Sequence, residues 1–386
     1  MRILLVGGGS GGHVTPLRAI SQSIKSQSDE LHDITLITDR KFYPQTKLLF
    51  AEEETVKLKK IYSGKFRRYP SHSFLWHVVH LPTLLKNIRD VLLLCVGFFQ
   101  SIIFFISHKP EIVFCKGGFT CVPVGLVANL FKVPIYIHDS DTVAGLTNRI
   151  LARFATKILT GMPTKYYAYD KKKMSYVGIP VSKEYSPVSI ADQRKAKESL
   201  GIDKSQPVLL VTGGGTGSKD LNSIISGQAV ALLKSGWTII HITGKGKSAQ
   251  VKAEREKLSK KLQSQWRIEE FTELLPLIKS TDLVVSRAGA TTMQEFANAK
   301  KPVIIIPSPH LTGGHQLKNA AMFADKGAAV VFDESSLQAD GKPLSEFIID
   351  SIEFKDPLDR MAKQLYDDFA KPDSADDIAY QILHFS

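Results

Sequence analysis

Cysteine is scarce, with three in 386 residues, and Cys95, Cys115 and Cys121 match no metal-ligand spacing. That argues against a disulfide framework or a zinc site; reduced thiols buried in a cytosolic protein are expected. A charged leader and a cleavage site are also lacking, because Met1 leads straight into a strand, which argues against secretion. The one nearly all-apolar stretch, Val91–Ile106 (VLLLCVGFFQSIIFFI), is shorter than the roughly 20 residues of a spanning helix, and Gly97 and Gln100 weaken it further. It is expected to cover a sheet, buried on most sides, or to dip one face into a bilayer surface between Lys86 and Arg89 on one side and His108 and Lys109 on the other. Acidic residues are the minority charge, 38 against 50 basic, leaving a net +12. The lysines are dispersed and no nucleic-acid motif appears, so a membrane surface or a phosphate-bearing substrate ranks above nucleic acid as the anionic partner.

What is present is a soluble globular composition, 43% apolar and 23% charged, with length enough for two full cores. The chain is organised around MRILLVGGGSGGHVTP, an apolar strand that breaks into glycines before His13 and an amphipathic helix. A strand, a glycine turn and a helix start make an anion site, since the first N–H groups of a helix lack partners. Gly7, Gly9 and Gly12 satisfy the dinucleotide pattern G-x-G-x-x-G, but the acidic residue expected about 20 positions on is at best Asp39, 27 positions after Gly12. Strands are expected at Arg2–Val6, Asp33–Ile37, Ile112–Phe114, Ile135–His138 and Lys157–Leu159. Their ends carry GGGSGGH, TDR, CKGGFT, HDSD and TGMP, which should converge at the carboxyl edge of a parallel sheet.

After Gly178-Ile179-Pro180 the opening device repeats: strand Pro207–Val211, then TGGGTGS, then a helix. Further strands are expected at Thr238–Ile242, Arg267–Phe271, Leu283–Ser286, Val303–Pro307 and Ala329–Phe332, with a helical tail from Leu358. The fold class is α/β, two nucleotide-fold lobes with a cleft between them. A dehydrogenase would leave the second loop idle. In SRAGATTMQEF, small residues after a strand allow close backbone approach, and Thr291 to Gln294 open a helix suited to a diphosphate, with Glu295 able to accept from a sugar diol. In PSPHLTGGHQLKN, His315 and Gln316 can fix sugar hydroxyls.

Together GGGSGGH, KGGFTCVP, HDSDTVAGLTNRILARFATKI, VGIPV, VTGGGTGSKDLN, SRAGATTMQE and HQLKNA follow the order and spacing of the MurG family, from Met1 to about residue 380. The chain thus resembles bacterial N-acetylglucosaminyltransferases of glycosyltransferase family 28, which complete the lipid-linked peptidoglycan precursor. The resemblance implies a GT-B fold: residues 1–182 as the acceptor and membrane side, residues 183–357 as the donor domain, and a helix at about 358–386 crossing back. It implies UDP-N-acetylglucosamine as donor and undecaprenyl-diphosphate-linked N-acetylmuramyl-pentapeptide as acceptor. The enzyme would sit peripherally on the anionic inner leaflet, at the cytoplasmic face of the cell membrane, without nucleic acid as a partner. Phe271 or Thr272 would meet the uracil and Glu295 the ribose. Gly215, Thr216 and Ala290, Thr291, Thr292, Met293 and Gln294 would face the diphosphate, and Gln316 the glucosamine. Ser10, Gly11, Gly12 and Asp141 would approach the donor from the first domain.

The chain departs from the family where Asp139 replaces Glu, Asp141 replaces Asn and Ser182 replaces Arg; Lys183 could stand in as a point charge at the diphosphate. The implied chemistry is inverting displacement of UDP by the muramyl 4-hydroxyl, with helix starts stabilising the departing diphosphate and no cofactor or obligatory metal. His13, ordinarily titrating near 6.5, is the expected base, with Asp139 and Asp141 as rivals and His138 a weaker one. The alternatives are a related UDP-sugar transferase acting on another lipid or small acceptor, and a non-catalytic UDP-sugar-binding relative.

Overall fold

The computed structural model describes residues 1–65, 80–309, 314–339, 342–352 and 355–385; the His310–Gly313 part of the PSPHLTGGHQLKN motif lies outside them. The chain divides into two compact units, Met1–Ser182 with Asp373–Ser386, and Lys183–Pro372.

The first unit is a seven-stranded parallel sheet of β1 (Arg2–Gly7), β2 (Asp33–Asp39), β3 (Val56–Ile61), β4 (Ile112–Gly117), β5 (Ile135–Asp139), β6 (Lys157–Thr160) and β7 (Met174–Tyr176), ordered β3-β2-β1-β4-β5-β6-β7. Both faces are buried, as a parallel sheet requires. Side chains alternate along β1, so Ile3 and Leu5 join one core with Leu17 and Ile20, while Leu4 and Val6 join the other with Phe105 and Val124. Helix Gly11–Gln27 covers the first face and is itself covered by Ser374–Leu383, whose Ile378, Ala379 and Ile382 are fully buried. The tail does not cross back as one piece. Through Phe369 it packs on helix Ala290–Asn298 in the second unit, and Asp373 begins the return.

The second unit has six parallel strands, β8 (Val208–Thr212), β9 (Thr238–Ile242), β10 (Trp266–Glu269), β11 (Leu283–Ser286), β12 (Val303–Ile305) and β13 (Val330–Val331), ordered β10-β9-β8-β11-β12-β13. In both sheets the order reverses beside the first strand, between β1 and β4 and between β8 and β11. Ligands of open α/β sheets bind at that point, beyond the carboxyl ends of the strands. The sequence missed β3 and β7. Val56–Ile61 carries three lysines (VKLKKI) and has one neighbour, β2, while Met174–Tyr176 is three residues long, so neither has the apolar run of an interior strand.

The apolar stretch forms part of a 28-residue helix, Leu81–His108, long and apolar enough by composition to cross a membrane. It does not bury most of its sides. Phe104 and Phe105 enter the core, whereas Phe99 and Ile103 are 64% and 68% exposed, in a stripe with Leu85, Ile88, Leu92 and Ile106. Cys95 is exposed on this helix too, unlike Cys115 and Cys121, which are buried; all three thiols are free. The two residues that weakened a spanning assignment dock the helix instead. Gln100 Oε1 accepts from Tyr62 N–H at 2.8 Å, and a Cβ on Gly97 would lie 2.1 Å from the Tyr62 carbonyl oxygen. Gly97→Ala gains about 1 kcal/mol of helix propensity but forces a backbone displacement of the overpacking kind, costing about 1–3 kcal/mol. A net loss of stability is expected in urea titrations of the purified protein; an unchanged or higher midpoint would show that the contact does not hold the helix.

Candidate functional site

In the first unit the five strand-end clusters meet. A Cβ on Gly8 would lie 2.6 Å from Asp39 Oδ2 and 2.5 Å from Thr120 Oγ1, and one on Gly117 would lie 3.1 Å from the His13 ring. Lys116 donates to Ser140 Oγ, and Gly161 packs against the Ser140 backbone. Asp39 Oδ2 accepts from Gly9 N–H at 2.6 Å while its Oδ1 accepts from Lys41 and Phe42 N–H. The carboxylate that a dinucleotide site would turn to a ribose is therefore engaged by the loop itself.

Helix Gly11–Gln27 starts beside these contacts, with Ser10 as its N-cap, so Ser10, Gly11 and Gly12 lie at the carboxyl edge together with His13. The His13 ring rests on Gly117, and the Lys116 backbone is a hydrogen-bond partner of the imidazole. Burial, then the Lys116 charge, lower its pKa to about 4, so the ring is neutral near physiological pH. The rivals are otherwise engaged. Asp139 Oδ2 accepts from the Tyr169 hydroxyl at 2.8 Å and from Gly145 N–H at 3.3 Å, and burial raises its pKa to about 6. His138 is fully buried, its Nε2 2.8 Å from the Gly178 carbonyl. Asp139 and Asp141 also stand in an Asp-x-Asp spacing, which the expectation of metal-free chemistry passed over. Among the described residues no group of three or more His, Cys, Asp or Glu could hold a metal ion.

In the second unit two glycine-rich turns meet at the switch point. A Cβ on Gly214 would lie 3.8 Å from Thr292 Oγ1, and one on Gly289 3.9 Å from the same atom. Gly215 and Thr216 sit in the first turn, whose carbonyls at Thr216 and Gly217 accept from Lys247 Nζ at 2.8 and 2.9 Å. Ser218 caps the helix Lys219–Lys234, its Oγ accepting from Leu221 N–H. Helix Ala290–Asn298 has Gly289 as N-cap, which brings no side chain to its first N–H groups. Ala290, Thr291 and Thr292 remain at that edge, but two of the expected diphosphate residues do not. Met293 is wholly buried in the core, and Gln294 donates to Asn298 Oδ1 at 2.9 Å and to the Phe369 carbonyl at 2.8 Å. Positions 293 and 294 fall on the packed side of the helix, a face that strand-end reasoning does not resolve.

Arg287 binds this edge together. Its Nε and Nη2 donate to Ser218 Oγ at 3.2 and 2.7 Å, Nη1 donates to the Ile306 carbonyl at 2.8 Å, and the guanidinium pairs with Glu334, both side chains at most 3% exposed. Glu295 is buried and accepts from the Tyr185 hydroxyl. Burial pushes its carboxyl up from 4.5 to about 8, and Tyr185 offsets part of that. Gln316 Oε1 accepts from Ser308 N–H at 2.9 Å, which fixes the orientation of its amide. Phe271 is 69% exposed and Thr272 half-buried just past β10, while Ser182 is half-buried and Lys183 exposed where one unit gives way to the other.

The glycosyltransferase family 28 N-terminal domain matches residues 3–160 and its C-terminal domain residues 208–378. A Bacillus anthracis protein is 34% identical over 339 residues, 86% of this chain and 87% of its own length. The chain belongs to glycosyltransferase family 28. That relative is named UDP-N-acetylglucosamine--N-acetylmuramyl-(pentapeptide) pyrophosphoryl-undecaprenol N-acetylglucosamine transferase 2, and a Staphylococcus aureus (strain MRSA252) transferase of the same name without the number is 34% identical over 88% of this chain and 87% of its own length. Acinetobacter baumannii MurG shares the fold, with a TM-score of 0.66 at 22% identity over 99% of both chains. So does a Neisseria meningitidis UDP-GlcNAc 2-epimerase, at 0.65 and 13% over 99% of this chain and 100% of the other. The family 28 chain thus has the GT-B arrangement of two Rossmann-like domains, a fold that does not by itself dictate transfer.

Sequence reading missed Lys116, Tyr185, Lys247 and Arg287. Arg287 stood inside SRAGATTMQE, but its partners Ser218, Ile306 and Glu334 come from three separate stretches. Tyr185 fell in a segment that reads as polar. The raised Glu295 carboxyl has a measurable consequence. The folded family 28 protein keeps a proton that the unfolded chain releases, so this contribution is complete below about pH 4.5, falls as pH rises, and is lost above about 8. Glu295→Gln removes the titration, so its melting temperature relative to the parent should climb between about pH 5 and about pH 8. A difference constant with pH in ligand-free protein would mean that Glu295 is ionised throughout.

Proposed function

We propose that this chain transfers N-acetylglucosamine from UDP-N-acetylglucosamine to the 4-hydroxyl of undecaprenyl-diphosphate-linked N-acetylmuramyl-pentapeptide, in peptidoglycan synthesis. The observation that carries this reading is the 34% identity, over 86% of the chain, to the Bacillus anthracis transferase of that name. The bond between the anomeric carbon and the diphosphate oxygen breaks, and UDP leaves with the electron pair. The muramyl oxygen bonds to the opposite face of that carbon, and its proton passes to the neutral imidazole of His13. The helix starts after Ser218 and Gly289, with Gly215 and Thr216, take the charge that grows on the departing diphosphate. Glu295 receives the ribose, Phe271 or Thr272 the uracil and Gln316 the glucosamine, while Ser182 or Lys183 adds a contact to the diphosphate. Helix termini supply this stabilisation without an obligatory metal.

Purified protein should release UDP only when donor and lipid acceptor are both present, and turnover should survive EDTA. His13→Ala should lower kcat by about 10²–10⁴-fold with little change in donor KM. Full kcat in both His13→Ala and His13→Gln would remove His13 as base.

The exposed stripe on Leu81–His108 fits the surface of an anionic membrane, here the inner leaflet of the bacterial cell membrane at its cytoplasmic face. The opposite side of the helix is committed to the sheet through Phe104, Phe105 and the Tyr62 contact, so the helix lies along the bilayer. Lys86 and Lys109, towards the two ends of the apolar stretch, supply charges suited to acidic headgroups, while Arg89 is paired with Asp90. Phe99→Glu with Ile103→Glu should abolish sedimentation with vesicles containing phosphatidylglycerol while leaving UDP affinity unchanged. Retained binding would sink the docking face.

A further inference from the structure

The glycine turn after β8 is braced from outside as well as by its own contacts. Residues 213–217 are all glycine except Thr216, with Gly214 and Gly217 at φ 76° and 66°, and glycine loses more freedom on ordering than any other residue. Within the turn, Gly217 N–H donates to the Gly214 carbonyl at 3.0 Å and Gly214 N–H to Thr212 Oγ1 at 3.1 Å. The loop after β9, residues 244–248, supplies the rest. Its Lys247 ammonium bridges the Thr216 and Gly217 carbonyls at 2.8 and 2.9 Å. The two backbones also touch: a Cβ on Gly217 would lie 2.2 Å from the Thr243 carbonyl oxygen, and one on Gly244 2.6 Å from Gly217 Cα. The loop is held in its turn by two other side chains. Glu270 accepts from Gly246 N–H at 3.0 Å and from the Ser248 hydroxyl at 2.6 Å, and Asn222 Nδ2 donates to the Thr243 and Lys247 carbonyls at 3.0 and 3.3 Å.

We propose that Lys247 is a positioning residue for the transfer reaction: by holding the Thr216 and Gly217 carbonyls, it fixes the N–H side of the glycine turn toward the donor's diphosphate. The place of the diphosphate rests on the function proposed above. The C=O and N–H of a planar trans peptide point to opposite sides, so an ammonium on the Gly217 carbonyl turns the Ser218 N–H the other way. Ser218 N lies 2.5 Å from where a Cβ on Gly213 would sit, so glycine at 213 leaves that nitrogen uncovered. Hydrogen bonds to an ion are stronger than neutral ones, and by polarising a carbonyl they make the N–H of the same peptide a better donor. A charge growing on the leaving diphosphate then meets donors that need not reorganise. Methionine at 247 would fill the same space and leave both carbonyls without the ammonium. Glu270 and Asn222 hold the loop without the Lys247 side chain, and Glu270 adjoins Phe271 in the chain. Loss of the ammonium should therefore be felt at the diphosphate turn and not at Phe271 and Thr272.

The test compares the parent, Lys247→Met and Lys247→Arg by their affinities for UDP and for uridine, by kcat, and by hydrogen exchange of residues 213–218 in ligand-free protein. Lys247→Met should weaken UDP binding about tenfold, leave uridine within about twofold, and speed exchange in the turn. Its kcat should fall as well, since the charge on the diphosphate grows as UDP leaves. Lys247→Arg keeps a cation with several donors and should recover most of the UDP affinity. Unchanged UDP affinity and kcat in folded Lys247→Met overturn the proposal. An equal loss of UDP and uridine also overturns it, because a lysine that only holds the fold together would weaken both. So does a loss of UDP with exchange unaltered, which would mean that the ammonium meets the phosphate directly and not through the turn. Should Lys247→Met not fold, Lys247→Gln, with a donor but no charge, decides by the same ratio of UDP to uridine affinity. A parent that binds no UDP overturns the donor reading and with it the purpose assigned to Lys247, while the exchange measurement still tells whether the turn is braced.

Discussion

The second unit depends on one buried guanidinium. Arg287 leaves β11 at the switch point and reaches the cap of one helix, the end of β12 and the Glu334 carboxylate. A buried ion pair is weak evidence for stability, because desolvation offsets most of the attraction, yet removing one partner alone costs about 3–5 kcal/mol. The pair therefore acts chiefly as a constraint on geometry. Ser218 cannot shift without disturbing Arg287, so the glycine turn before Ser218 and the turn before Ala290 hold a fixed spacing. Donors that need not reorganise stabilise a developing anionic charge best, and this linkage gives the edge the rigidity that the proposed transfer would use.

The two sheets share a strand order but put their glycine turns to different uses. In the first unit the Asp39 carboxylate takes the Gly9 N–H, a donor that an anion would otherwise use. In the second, the backbone of the turn is held from its carbonyl side by Lys247. One turn is closed by an acid from its own sheet and the other is braced by a base. The same local motif is thus held through its N–H side by a carboxylate in one unit and through its carbonyl side by an ammonium in the other.

Strand-end clusters were readable from the chain because parallel strands place their carboxyl ends on one edge whatever the intervening length, and HDSD, KGGF and GGGSGGH duly meet. Glycines in them mark close approaches, as Gly8 to Asp39 and Gly117 to His13 show. What could not be read was the facing of individual side chains. Met293 and Gln294 share a helix with Thr292 but point into packing, and Lys116 sits in an apolar strand whose register shift leaves no mark in composition. The apolar stretch before His108 was ambiguous for a related reason. Hydropathy gives the content of a helix, and Phe104, Phe105 and the Tyr62 contacts determine which side the sheet keeps.

The returning helix Ser374–Leu383 has a consequence for how the protein is made. Its Ile378, Ala379 and Ile382 belong to the same core as Ile3, Leu5 and Leu17, so strands synthesised at the start stay partly uncovered until these residues emerge. The Lys183–Pro372 unit has all its residues before then, and domains generally fold as units during synthesis. The unit that holds residues 1–182 is thus the one whose core is covered last as the chain is made.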